Sequence, residues 1–286
     1  MQKPLRKKKR DIGGIVLTVL FSLVCILYVM PIVEVLINSF KTHSAINTDT
    51  FALPNAGTFA GTSNYVKGMT FGNYPFLKSL LYSIVITILS VTLILLCTSM
   101  AAWFISRVGG RFSRLFYLGC VFSMIVPFQM VMFTLSKLAD MLKLNTPWGL
   151  CFVYLGFGAG LAVFIFTGVV KGIPESLEES AMIDGASVPR IFFQIVVPIM
   201  KPSIVSVAIL QAMWIWNDYL LPYLTLDLSK YKTISVAVQY LKGGYGSVDM
   251  GAMMACLVMA IIPIIIFYLI CQKYIVKGVM AGAVKG

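Results

Sequence analysis

The chain has 286 residues, of which 59% are hydrophobic and 12% charged. Soluble domains are ~25% charged, and a mean hydropathy of +0.89 leaves too little polar surface to cover a water-soluble globule, so a typical soluble enzyme and a disordered protein are both excluded. The net charge of +12, from 23 Lys and Arg against 11 Asp and Glu, is first a question of membrane topology and only then of nucleic acid.

Residues 1–12 form a basic amino-terminal segment containing Lys3, Arg6, Lys7, Lys8, Lys9 and Arg10. A bilayer core of about 30 Å needs about 20 apolar helical residues to cross it. Six runs meet that length: 13–37, 79–104, 115–135, 149–170, 203–226 and 250–272. Backbone polar groups in hydrocarbon must be satisfied within the segment, and runs this long exceed barrel strands, so all six are predicted helices. The first run resembles a signal peptide but is too long and lacks an Ala-x-Ala site after it, so it is expected to stay as an anchor. The prediction is an all-α polytopic membrane protein, with a transmembrane domain over 13–275 and a tail at 276–286.

Lys and Arg counted loop by loop give the orientation. Fifteen lie in the amino-terminal segment, in the loops between spans two and three and between four and five, and after span six; eight lie in the opposite loops. Both termini are therefore expected in the cytoplasm. The positive charge is a topology signal that also suits anionic lipid, and no nucleic-acid partner is expected. The six cysteines sit in or beside apolar runs without a Cys-x-x-Cys, and His43 is the sole histidine, so neither disulfides nor a metal site are expected. Glu34, near the outer end of span one, is expected to be interfacial. Gly156, Gly158 and Gly160 in span four contain a Gly-x-x-x-Gly spacing suited to close helix packing.

Two loops are long. The outer one, 38–78, is rich in Gly, Thr, Asn and Pro and reads as turns, either a connector or a docking surface. The inner one, 171–202, has local punctuation. Pro174 opens a helix, Glu175, Glu178 and Glu179 favour its positive end, and Gly185 stops it in a left-handed cap. Ser187 then caps a second helix carrying Phe192, Phe193, Ile195 and Val196, which is expected to break before Pro198. Two short helices showing apolar side chains outside the bilayer suit a protein partner; lying on lipid is the alternative.

Glu179-Ser180-Ala181, then Gly185, then Ile195-Val196-Val197-Pro198 follow the spacing Glu-Ala-Ala, three residues, Gly, nine residues, Ile-x-Leu-Pro. This resembles the coupling-helix signature of permease subunits of bacterial ABC importers, with Ser180 and Val197 as the departures. Asp184-Gly185-Ala186, Asn64-Tyr65, Pro127-Phe128-Gln129, Trp216-Asn217-Asp218 and the segment from Lys277 to Gly286 are similar to the carbohydrate branch of maltose-transporter type. Thr134 departs from the branch, where many members have Pro, and this leaves the bend in span three open.

The resemblance implies a type I importer permease fold with six spans and a cytoplasmic coupling-helix pair between spans four and five. It implies a sister permease, two ATPase subunits that bind ATP and Mg, and an external protein that delivers a di- or oligosaccharide such as an α-glucoside or α-galactoside. Glu179, Ser180, Ala181, Asp184, Gly185, Ala186, Ile195 and Pro198 are the expected ATPase-coupling residues. The expected location is the bacterial cytoplasmic membrane. Independently of the resemblance, the chain has no Gly-Lys dipeptide and so no phosphate-cradling Gly-Lys-Ser/Thr loop. No cofactor is expected on this chain, and no catalysis.

Asp218 is the clear mid-span acid, fifteen residues past Ser203, about 22 Å along a helix rising ~1.5 Å per residue. With Asn217, Trp214, Trp216 and Tyr219 it suits a sugar path, since aromatic faces pack on sugar rings and amides and carboxylates bind hydroxyls. Gln129 is the further candidate. The alternatives are an aromatic belt with a snorkelling acid, or contacts to a sister subunit. At the level of function the runner-up is a proton-coupled secondary transporter, which calls for internal repeats and a relay of intramembrane acids.

Overall fold

The computed structural model describes residues 12–70, 74–240 and 249–283. Most of the basic amino-terminal segment and the last three residues of the tail lie outside them. Among the described residues the chain is helical, with one isolated antiparallel bridge between Lys41 and Phe59. Five helices among the described residues are long and apolar enough to cross a membrane, and a sharply bent pair makes six if it counts as one crossing. The contacts divide the chain into two compact units, 1–68 with 243–258 and 69–242 with 259–286.

The first unit holds α1 (Ile12–Asn38), α2 (His43–Thr48) and most of α3 (Ser63–Thr70). The apolar side chains of α1 from Ile15 to Val33 are exposed around the helix, as in a helix solvated by hydrocarbon. After it the chain folds into a polar knot. Lys41 is buried, and its ammonium donates to the carbonyls of Asp49 (2.9 Å) and Thr50 (3.0 Å), satisfying the end of α2. Asn64 donates to the carbonyls of Ser39 and Lys41, both at 2.8 Å, while the Tyr65 hydroxyl meets Ser39 Oγ at 2.7 Å. The Asn-Tyr pair thus staples this loop. Asn55 receives the N–H groups of Gly57 and Thr58, so the Gly- and Thr-rich stretch is an ordered Asx turn.

The second unit is built on α4 (Phe76–Val108), α5 (Gly110–Ile125), α6 (Phe128–Met141), α7 (Pro147–Val170), α8 (Glu175–Ile183), α9 (Val188–Ile191), a π-helical segment (Phe192–Val196), α10 (Val197–Asn217), α11 (Leu220–Thr225) and α12 (Ile234–Tyr240). The last helix, α13 (Met250–Ala283), gives its first turns to the first unit and the rest to the second. The core lies between α4, α7 and α10, where Ile86, Ile94, Tyr154, Phe166, Val207 and Ile215 are buried together. Small residues let these helices approach closely. A Cβ on Gly158 would fall 2.5 Å from Ile94 Cδ1, and one on Gly160 would fall 2.7 Å from the Cys120 carbonyl of α5. Gly156 meets nothing within 4 Å. The packing glycines are therefore Gly158 and Gly160, serving two different neighbours, and not the Gly156–Gly160 pair. Gln211, buried on α10, donates to the Gly158 carbonyl at 3.2 Å.

Three expectations from the sequence need correction. The run at 115–135 is not one helix: α5 and α6 meet at 108°. Pro127 lacks an N–H and drives Val126 into extended backbone (φ −73°, ψ 115°), so α5 ends there and α6 restarts at Phe128. Thr134 lies inside unbroken α6.

The second helix of the inner loop does not break before Pro198. It continues from Val188 to Asn217 as one 30-residue helix. The π segment makes this possible: the Val197 N–H bonds back five residues to the Phe192 carbonyl, slipping the register ahead of the proline. The run at 203–226 is in turn interrupted, since α10 ends at Asn217 and α11 begins at Leu220.

Candidate functional site

Two groups of residues carry the candidate chemistry, one at the α8–α9 turn and one where α10 gives way to α11. The turn closes on a six-residue capping motif. Gly185 has φ +79°, the left-handed conformation that costs glycine least. Its N–H reaches the Met182 carbonyl at 3.0 Å, and the Ala186 N–H reaches back to the Ala181 carbonyl at 2.9 Å. Ala181 and Ala186, half-buried, pack on the core at the two ends of this bond. The spacing from Ala181 to Gly185-Ala186 is therefore the spacing of the cap. Pro174 stands at the N-cap of α8, one residue before the helix, and Glu175 and Glu178 fill its first turn. Ser187 precedes α9 with extended backbone, but its hydroxyl makes no capping bond.

The helix pair has two faces. Glu179, Ser180, Asp184 and Gly185 are exposed, together with Met182, Val188, Phe193 and Ile183, the last 87% exposed. Ile191, Phe192 and Val196 are buried and Ile195 is half-buried, so of the apolar residues read from the sequence only Phe193 is displayed. Pro198 is exposed at the start of α10. The inward face is held by residues that sequence reasoning missed. Glu178 is 4% exposed; it accepts from Trp103 Nε1 at 2.9 Å and from Arg107 Nε and Nη2 at 3.0 and 2.8 Å. Arg107 Nη2 also donates to the carbonyl of Ile173 at 3.0 Å.

In the second group, Asp218 ends α10 and caps α11: one carboxylate oxygen accepts from the N–H of Leu220 at 3.0 Å. The other accepts from the Tyr154 hydroxyl at 3.0 Å. Tyr154 is fully buried on α7, and Trp214 packs edge-on against its ring at 5.4 Å. Asp218, Trp214 and Tyr154 thus form one cluster. Tyr219 stacks instead on Tyr223, also at about 5 Å. Asn217 is exposed and donates to the Met213 carbonyl. Trp216 points into an apolar groove of about 430 Å³ between α4, α10 and α13, lined also by Thr87, Val91, Ala212 and Pro263. Gln129 is exposed in the first turn of α6, beside Phe128, whose ring packs edge-on against Phe157.

At the end of α4 opposite Arg107, the ammonium groups of Lys78 and Lys232 lie 4.9 and 4.4 Å from the ring centre of Tyr74. Burial, and secondly the charge of Lys78, push the Lys232 ammonium below its ordinary pKa; burial raises the Tyr74 phenol. No group of three or more His, Cys, Asp or Glu able to hold a metal occurs among the described residues.

The sequence profile of the family described as "Binding-protein-dependent transport system inner membrane component" matches residues 94–281. The chain belongs to this family. Its members are transport permease subunits without catalysis of their own, and the proton-coupled alternative is set aside. Among curated relatives, the chain is 36% identical over 278 residues to "Probable starch degradation products transport system permease protein AmyC" of Thermoanaerobacterium thermosulfurigenes, covering 97% of this chain and 99% of that one. It is 33% identical over 282 residues to the multiple sugar-binding transport system permease protein MsmG of Streptococcus mutans, covering 98% and 100%.

The fold is shared with solved chains of bacterial ABC transporters. A chain of a bacterial ABC transporter involved in the import of the acidic polysaccharide alginate superposes with a TM-score of 0.77 at 24% identity, over 95% of this chain and 99% of that one. A chain of a bacterial alginate ABC transporter in complex with an alginate pentasaccharide-bound periplasmic protein superposes with a TM-score of 0.60 at 13% identity, over 96% of both. The match places the α8–α9 turn and the α10–α11 break inside the family region.

Proposed function

We propose that this chain is one of two permeases of an ATP-driven importer of a di- or oligosaccharide, and that α8 and α9 are its coupling helices. The observation that carries the reading is the two-faced helix pair: one face is locked to the span helices, while the other shows Ile183, Met182 and Phe193 beside Glu179 and Asp184. A capped apolar knuckle ringed by acid is shaped to sit in a cleft of a partner and form ion pairs at its rim. Glu179, Ser180, Asp184 and Gly185 face that partner, an ATPase subunit. Ala181, Ala186, Ile195 and Pro198 give the knuckle its shape.

Two ATPases would bind ATP and Mg and close on hydrolysable nucleotide, displacing the knuckle of each permease. Displacement moves the transport equilibrium only if the knuckle binds differently in the two conformations; affinity alone shifts nothing. An external sugar-binding protein completes the assembly, a reading supported by the periplasmic protein in the second alginate transporter complex. The names of the two curated relatives support a sugar substrate. The excess of Lys and Arg supports a cytoplasmic location for both termini and the knuckle, in the cytoplasmic membrane of a bacterium.

Trp214, Trp216, Asn217, Tyr219 and Gln129 line the sugar path in this reading, around a break between α10 and α11 that Asp218 holds in shape. Gentle detergent extraction from the native membrane tests the assembly. A sister permease and two copies of an ATPase should accompany the chain, with ATP hydrolysis stimulated by sugar and its binding protein. A lone chain from membranes whose other complexes survive would overturn the coupling assignment.

A further inference from the structure

The knuckle moves nothing unless its displacement reaches the span helices. Its covalent route backward is the four-residue connector 171–174 between α7 and α8, a natural hinge. One side chain removes that freedom. Arg107, in the last turn of α4, donates to the carbonyl of Val170 at the end of α7 (3.3 Å), to that of Ile173 in the connector (3.0 Å) and to the carboxylate of Glu178 in α8 (2.8 Å). Glu175 lies 3.6 Å from its other terminal nitrogen. Glu178 is filled on its second oxygen by the indole of Trp103, one turn earlier on α4. The Trp103 ring in turn lies 5.4 Å from that of Phe192, the first residue of the π segment that runs on into α10.

We propose that Arg107, Glu178 and Trp103 form the joint that makes the knuckle and the helices α4, α7 and α10 one mechanical body, so that they are positioning residues for energy coupling. The inference rests on the coupling reading above. A half-buried guanidinium with its fork on a buried carboxylate is stiff where a loop is soft: each planar N–H has a fixed direction, and losing the arginine strands the Glu178 charge away from water. The three donor nitrogens and four acceptor oxygens come from α4, the end of α7, the connector and α8, so none of these tilts alone without breaking charge-assisted bonds. Through Phe192 the same joint reaches the helix that carries Trp214 and Asn217.

The test uses the complete importer in lipid vesicles, with Glu178→Gln, Arg107→Lys and Trp103→Phe. None of these residues is on the exposed face, so the ATPase should co-purify at the wild-type ratio and hydrolyse ATP. Sugar imported per ATP hydrolysed should fall about tenfold in Glu178→Gln, within the usual range of coupling between sites. Arg107→Lys, which keeps the charge and loses the fork, should retain an intermediate ratio, and Trp103→Phe a smaller deficit. The ratio is counted per assembled complex, so mere loss of protein does not move it. If Glu178→Gln does not accumulate, Trp103→Phe alone decides.

A wild-type ratio in the variants, or loss of the ATPase from them, would overturn the joint while leaving the coupling reading intact. Absence of an ATPase from the wild-type preparation would overturn the reading itself.

Discussion

The Tyr154 hydroxyl donates to the Asp218 carboxylate at 3.0 Å, joining the first third of α7 to the point where α10 stops. An acid in a span is by default a functional group. Here both of its oxygens have protein partners, because the same carboxylate caps α11. The break between α10 and α11 is thus a built feature, and Asp218 is what builds it.

Asp218→Ala should therefore act on stability first. It removes a cap and leaves a buried phenol without an acceptor, a loss of about 1–3 kcal/mol. Asp218→Asn keeps an oxygen for the Leu220 N–H and should cost less. In the Tyr154→Phe background the Asp218→Ala effect should shrink, since the two residues share one bond. Thermal unfolding of the four purified proteins measures this. A tenfold rise in the transport KM for Asp218→Ala with unchanged unfolding would instead put the carboxylate on the sugar.

Gly156, Gly158 and Gly160 give a graded series. Gly156→Ala should be neutral, as nothing lies within 4 Å of the new carbon. Gly158→Val drives into Ile94 and the Gln211 amide and should cost roughly 1–3 kcal/mol by overpacking. Gly160→Val meets backbone at Cys120, which yields less than a side chain, so it should be the worst. Yields of folded monodisperse protein rank the three, and a Gly156 defect as large as that at Gly160 would refute the packing.

The sequence made the knuckle legible because its signals are local: Pro174 and Gly185 each act on their own backbone within a turn. The joint behind it was not legible. Arg107 and Glu178 are 71 positions apart, and nothing near Arg107 distinguishes it from the basic residues that set topology. Pro198 misled for a physical reason: a proline breaks an α-helix, but a π turn just before it absorbs the lost bond, and that slip has no signature in residue type. The hydropathy of 115–135 ran unbroken through Pro127 because lipid tolerates an apolar bend as readily as an apolar rod.

Glu179 is exposed where Glu178 is buried, and the two neighbours should fail differently. Glu179→Lys should leave the chain folded and in the membrane at wild-type level, while losing the ATPase or its coupling. Co-purification and uptake measure both. Normal uptake would remove Glu179 from the partner surface.

Gly185 is the most demanding position in the knuckle. At φ +79° a side chain is strained although no atom lies within 4 Å of an added Cβ, so space is not the issue. Gly185→Val should cost more than the ~1–2 kcal/mol usual for a left-handed L-residue, since β-branching adds to it. The chain would relieve the strain by opening the bond from Ala186 to Ala181, swinging α9 away from α8 and splitting the exposed patch around Ile183. Gly185→Asn, which tolerates the left-handed region, should keep most of the uptake. The expected order is wild type, then Asn, then Ala, then Val, in both ATPase co-purification and transport. Equal behaviour of Ala, Asn and Val would show that the knuckle does not depend on this turn.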